Sequence, residues 1–124
     1  MSERDIHISI VEYLQTALPE GSLIQHSANE GRRHVRHAVN LKRMGLTAGW
    51  PDLELIVPHW HFNQTFLFAP IFLEVKAPKG RVTKAQDDVM ERLVAAGCYC
   101  AVVRSVEETE DCLSQLIGLK ATLQ

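Results

Sequence analysis

The sequence predicts an α/β fold, a mixed central β-sheet flanked by helices. Three observations predict it: helical spacing near the start of the chain, two apolar strand-length runs in the middle, and a capped helix that leads into a valine-rich strand. The 124 residues, 46% hydrophobic and 23% charged, can bury one ordinary core, so residues 1–124 are expected to form a single domain. No apolar run approaches the length of a membrane span, and Met1-Ser2-Glu3-Arg4-Asp5 lacks the basic-then-apolar order of a signal peptide. A cytoplasmic location is expected, with no membrane partner. Cys98, Cys100 and Cys112 form an odd set without CxxC spacing, which suits reduced thiols better than a disulfide frame or a zinc knuckle.

Each element has its own signal. From about Arg4 to Leu18, Ile6, Ile10, Tyr13, Leu14 and Ala17 fall on one helical face, with Glu3 and His7 projecting toward it and Glu12 away; Pro19-Glu20-Gly21 closes the helix. Ser22 to Ser27 reads as a short strand and Asn29-Glu30-Gly31 as a turn. Arg32 to Met44 reads as a basic helix with Val35, Val39 and Leu41 inward, ended by Gly45. Leu53 to Val57 alternates as a strand ended by Pro58, and the polar connector His59 to Thr65 leads to a second apolar run, Phe66 to Lys76. These two runs are expected to pair antiparallel at the centre of the sheet. Thr83 caps a helix to about Ala96 with Ala85, Val89 and Leu93 inward, and Gly97 stops it. Tyr99 to Arg104 is a strand and Val106 to about Leu119 a closing helix. A crossover makes the Tyr99 strand parallel to the strand ending at Lys76.

Formal net charge is −2, but its distribution says more than its sum. From Gly31 to Pro51 there are five basic residues (Arg32, Arg33, Arg36, Lys42, Arg43) and no acid; from Val75 to Gln86 there are four (Lys76, Lys79, Arg81, Lys84) and again no acid. Acids gather at Glu107, Glu108, Glu110 and Asp111. The pattern suits either solvated surface or a basic face that meets phosphates.

Pro51-Asp52 opens one central strand and Glu74-Val75-Lys76 closes the next, so the two acids can meet at one end of the sheet. On the later strand Ile71, Leu73 and Val75 point one way, and Phe72, Glu74 and Lys76 the other. Charges on an apolar strand need partners, because an unpaired buried charge costs several kcal/mol or more. A turn at Asp52 with a Glu74–Lys76 ion pair is the purely structural account. The functional one is that Asp52, Glu74 and a carbonyl such as that of Val75 hold Mg²⁺ or Mn²⁺, with Lys76 orienting a water or neutralising phosphate charge. Glu54 shares a face with Asp52, as an extra ligand or a solvated charge. The His34/His37 and His59/His61 pairs lack the spaced partners of a closed zinc site.

Gly49-Trp50-Pro51-Asp52-Leu53, Phe72-Leu73-Glu74-Val75-Lys76-Ala77, Gly80-Arg81-Val82-Thr83-Lys84-Ala85-Gln86 and Gly97-Cys98-Tyr99 together resemble the VRR-NUC branch of the PD-(D/E)XK nuclease superfamily. Asn29 to Arg33 and Lys42 to Leu46 resemble stretches of its stand-alone, phage-type members, and the likeness runs from Glu3 to about Val106. The resemblance implies a restriction-endonuclease-like core, with Asp52 and Glu74 as metal-binding acids, Lys76 as the motif lysine, Gln86 as the glutamine lining the site, and Glu3 as a first-helix acid that reaches the metal through water. His7 stands where a glutamine is common, and Trp50 replaces a usual small or β-branched residue. It further implies metal-dependent hydrolysis of DNA phosphodiesters, selectivity for branched or four-way junction DNA, a homodimer, no small-molecule cofactor, and a setting in a bacterial or phage-infected cytoplasm.

Arg32, Arg33, Arg36, Lys42, Arg43, Lys79, Arg81 and Lys84 are the expected DNA-backbone contacts. With the whole chain used by the catalytic fold, no segment is left to read sequence, so selectivity for DNA shape is expected. Trp60, Phe62, Phe66 and Phe68 can supply a dimer interface or pack internally. Two other readings of the same fold are a non-catalytic DNA-binding or assembly module and a restriction or repair endonuclease within a larger complex.

Overall fold

Period-two alternation in the middle of the chain, interrupted by helical segments, builds one four-stranded sheet with helices on both faces in the computed structural model, which describes residues 1–27, 35–64 and 69–120. The elements are α1 (Glu3–Ala17), β1 (Leu23–His26), α2 (Val35–Arg43), β2 (Leu53–Ile56), β3 (Ile71–Val75), α3 (Lys84–Ala95), β4 (Tyr99–Val103) and α4 (Val106–Ser114), with a 3-10 turn at His59–His61. Their order is the one expected from sequence. The Asn29-Glu30-Gly31 turn, Arg32, Arg33 and the Phe66 to Phe68 end of the second apolar run lie outside the described residues.

Strand order is β1-β2-β3-β4. The first three strands run antiparallel in sequence, and β4 lies parallel to β3 with Glu74 opposite Val102 and Val75 opposite Val103. A helical crossover is what a parallel neighbour requires, and α3 supplies it. Leu53, Leu55, Val57, Ile71, Leu73, Val75 and Val103 face Ile6, Ile10 and Leu14 of α1 and Leu113 of α4, and this is the core. α3 packs beside β4 on the opposite face, burying Val89 and Met90. Strand alternation turns Phe72 and Glu74 to that second face.

Local chemistry fixes the ends. Ser2 caps α1 by accepting from the Asp5 N–H, and the Asp5 carboxylate accepts from Ser2 in return. Gly97 closes α3 with φ +101°, a left-handed conformation that side chains disfavour. Among the described residues no helix is long and apolar enough to cross a membrane.

Several details differ from expectation. Val39 is half exposed, not inward, because α2 packs against no other element among the described residues. On α3 the buried stripe is Val89 and Met90, while Ala85 is exposed and Leu93 half-buried. Glu3 is exposed, one turn ahead of Ile6, the first buried residue of α1. α4 stops at Ser114, because the residues after it pair with the connector between β2 and β3: the Asn63 N–H donates to the Leu116 carbonyl, Phe62 bridges Ile117, and the Gly118 N–H donates to His61. That pairing buries Phe62, whose ring stacks on Tyr99 at 6.3 Å, so Phe62 packs internally; Trp60 remains 66% exposed.

Phe62→Ala should therefore cost about 3–5 kcal/mol of stability. Trp60→Ala should stay within about 0.5 kcal/mol. Urea unfolding of the two variants checks the contrast.

Candidate active site

The parallel pairing of β3 and β4 and the antiparallel pairing of β2 and β3 bring the start of β2 beside the end of β3. Leu53 lies opposite Leu73, so Asp52 comes beside Glu74. The Asp52 carboxylate is fixed there by accepting the Val75 N–H at 2.8 Å. Its own carbonyl accepts the Ser27 N–H at 2.8 Å and lies 3.2 Å from His26 Nδ1. The edge strand thus anchors Asp52 from behind, and His7 of α1 meets the His26 ring edge-on at 4.7 Å.

Glu74 is 1% exposed and Lys76 7%. Lys76 Nζ lies 3.4 Å from Glu74 Oε2, and Gln86 Nε2 donates to the same oxygen at 3.0 Å. Glu74 Oε1 is buried and has no hydrogen-bond partner. Burial pushes the Glu74 carboxyl up to about 7; the Asp52 charge pushes the same way and Lys76 pulls it back only in part. A site with one orphaned carboxylate oxygen, a second carboxylate beside it and a single ammonium is short of positive charge.

Gln86 serves two structures at once. Thr83 caps α3 by accepting the Gln86 N–H at 3.2 Å, and Gln86 Oε1 accepts the Thr83 N–H at 2.9 Å. This capping box consumes the amide oxygen and leaves the NH₂ for Glu74. The helix is positioned against the Asp52 loop by Gly49, at φ +85°: a Cβ there would come within 2.6 Å of the Ala85 carbonyl carbon and oxygen. Any side chain at 49 would push the Asp52 loop and α3 apart.

The structure therefore brings Asp52, Glu74, Lys76 and Gln86 together, with Val75 between the two charged residues of β3. Glu3 is not joined to them: it is exposed, and no hydrogen bond or ion pair links it to either acid. Among the described residues no cluster of three His, Cys, Asp or Glu side chains is arranged to hold an ion. Any ion at this site would thus rest on two carboxylates, backbone oxygen and water. Lys79, Arg81 and Lys84 are exposed on the loop after β3 and the first turn of α3; Lys42 and Arg43 are exposed in the last turn of α2. Arg36 lies in α2, and Arg32 and Arg33 fall outside the described residues. The acids Glu107, Glu108, Glu110 and Asp111 all sit on α4, across the sheet from α3.

Sequence reasoning missed Arg104. Its Nη1 donates to the carbonyls of Ala77 and Gly80, both at 2.7 Å, while its own N–H donates to Glu108 at 3.0 Å. It thereby pins the turn that carries Lys79 and leads into Arg81. The signal was topological: once β4 is parallel to β3, the residue after β4 must meet the loop after β3.

A model of the VRR-NUC domain family matches residues 3–107. A solved structure described as a VRR_NUC domain protein superposes with a TM-score of 0.68, covering 93% of this chain and 87% of that one at 21% identity. At that identity the likeness speaks for the fold. A search of curated proteins finds no match.

Two outcomes follow from this geometry. Because the folded chain holds a proton on Glu74 that the unfolded chain releases above about 4.5, the stability of the metal-free protein should fall as pH rises from about 4.5 to about 7. The Glu74→Gln protein should lack this component, which melting temperatures of both proteins across that window will show. Arg104→Ala should cost about 2 kcal/mol, the scale of lost hydrogen bonds to a charged group, and hydrogen exchange should speed up selectively between Ala77 and Arg81.

Proposed function

The chain belongs to the VRR-NUC family, a nuclease family, and from that premise we propose that it is a metal-dependent DNA endonuclease selective for branched DNA. The observation that carries the reading is the orphaned Oε1 of Glu74 beside the Asp52 carboxylate. Two carboxylates held this close, one of them buried, can both be ionised near neutral pH only if a cation joins them. Asp52, Glu74 and the Val75 carbonyl are hard oxygen donors of the kind Mg²⁺ or Mn²⁺ takes, and they would hold it. The chemistry such an ion supplies is positive charge at the scissile phosphate and a water of lowered pKa.

The chain's own residues do the rest. The Val75 N–H fixes one Asp52 oxygen, and Gln86 with Lys76 fixes one Glu74 oxygen, so each carboxylate keeps one oxygen for binding. Lys76, held 3.4 Å from Glu74, places a proton donor and a positive charge where the attacked phosphate gains charge. Lys79, Arg81 and Lys84, exposed on the loop after β3 and the first turn of α3, would hold the backbone beside the cut, and the Arg32 to Arg43 stretch would hold a neighbouring arm. In-line attack by water on phosphorus would leave a 5′-phosphate and a 3′-hydroxyl. Contacts from cations to phosphates carry no base sequence in themselves, which suits a substrate recognised by its shape, such as branched DNA. A homodimer would present one site to each of two strands of a junction; of the aromatic candidates among the described residues, Phe62 is buried and Trp60 is exposed.

Asp52→Ala, Glu74→Ala and Lys76→Ala should each abolish cleavage of labelled four-way junction, flap, nicked and linear duplex DNA in Mg²⁺ or Mn²⁺, with EDTA abolishing it in the parent chain. Normal cleavage by all three variants would end the reading. Metal-replete binding without cutting by the parent chain would replace it with a non-catalytic module.

A further inference from the structure

A cavity of about 360 Å³ opens next to the acids, lined by Gln25, His26, Trp50, Pro51, Glu54 and the turn from Gly45 to Thr47, with Ser27 at its edge. Its volume is that of a small-ligand site. Two of its walls already hold the site: Ser27 and His26 both contact the Asp52 carbonyl, and Pro51 is the residue before Asp52. Glu54 lies two residues along the strand from Asp52 on the same face, about 7 Å away by strand rise. What fills this cavity therefore lies within one nucleotide's reach of a phosphate at Asp52 and Glu74.

The lining has the chemistry of base recognition. Trp50 is half-buried and held edge-on against Phe72 at 5.5 Å, so its indole is a fixed flat wall. It also lines a second cavity of about 260 Å³ with Val89 and Leu93 of α3, which ties the wall to the helix that carries Gln86. Glu54 and Gln25 are directly opposite in the β1–β2 ladder, so a carboxylate and an amide line the same cavity as the ring; Gln25 Nε2 donates to the His26 carbonyl at 3.2 Å, which leaves its amide oxygen and second N–H for a ligand. Among the described residues no cation pairs with Glu54 as Lys76 pairs with Glu74. Bases taken out of a helix are recognised by stacking on such rings and by hydrogen bonds to their edges.

We propose that this cavity is a pocket for one unpaired DNA base next to the scissile phosphate, stacked on Trp50 and read at its edge by Glu54 and Gln25. The inference rests on the nuclease reading for the position of the phosphate. Two carboxylate oxygens accept two adjacent N–H donors, and guanine alone among the four bases offers such a pair, at N1 and N2, on its Watson–Crick edge. Thymine would set its carbonyl oxygens against the carboxylate. The pocket therefore prefers guanine to thymine, and turns a selectivity for branched DNA into a preference for junctions or bulges with an unpaired guanine.

The test uses the full chain in EDTA, where binding is read without cutting. Duplexes with a single unpaired 2-aminopurine report stacking by loss of fluorescence, and unlabelled duplexes with an unpaired guanine, thymine or abasic site compete for the protein. Quenching is expected, with guanine competing about tenfold better than the abasic site, the scale of one base stacked on an aromatic ring. Trp50→Leu should lose the quenching. Glu54→Gln, a substitution that spares the Phe72 contact, should erase the guanine-over-thymine difference while leaving abasic affinity unchanged. Equal competition by guanine, thymine and abasic duplexes in the parent chain would overturn the pocket even if cleavage in Mg²⁺ is intact. Discrimination in EDTA with no cleavage in any metal would leave the pocket standing and overturn the nuclease reading instead.

Discussion

A carboxyl group buried in the middle of a sheet, with a second carboxylate beside it and one ammonium near, is the constraint on which the rest of this molecule depends. Glu74 has almost no contact with solvent, and the cost of burying it is offset locally. Lys76 and Gln86 share one of its oxygens, and Asp52 is diverted onto the Val75 N–H. The other Glu74 oxygen is left unsatisfied. Native interiors rarely leave buried polar atoms unpaired, and this exception lies where two central strands meet.

The scaffold can hold such a site because its two faces are unequal. One face is a continuous aliphatic core under α1 and α4. The other is covered by α3 beside β4, while Leu23 and Ile56, opposite each other on β1 and β2, stay exposed at 66% and 37%. The aliphatic packing is concentrated on the first face, and the second is left more open. The capping box of α3 joins the two tasks, since Gln86 both starts the helix and donates to Glu74.

Much of this was legible in the sequence, because the signals were local. Alternation marked β2 and β3, Thr83 and Gly97 bracketed α3, and the acids at the two strand ends were expected to meet, as the registers make them do. What escaped depended on partners distant in the chain. α4 has the pattern to run on to Leu119, but the bonds from its C-terminal residues to His61 and Asn63 end it sooner. Val39 has helical spacing, but α2 has nothing to pack it against among the described residues. Arg104 looks like an ordinary strand-end arginine until the parallel register sets it beside the Ala77 to Gly80 turn. Glu3 was placed by helical spacing and by likeness, and α1 leaves its side chain exposed.

Gly49 has a consequence for how this chain can vary. Its missing side chain is filled by the backbone of Ala85, so two segments far apart in sequence interlock with no side chain to adjust between them. Backbone-to-backbone contact cannot be retuned by gradual changes of residue size, as a packed leucine can. The Asp52 loop and the first turn of α3 must drift together or stay fixed. Diversity in what such a chain acts on is then channelled into segments outside that lock: the edge strand, the α2 region and the connector after β2.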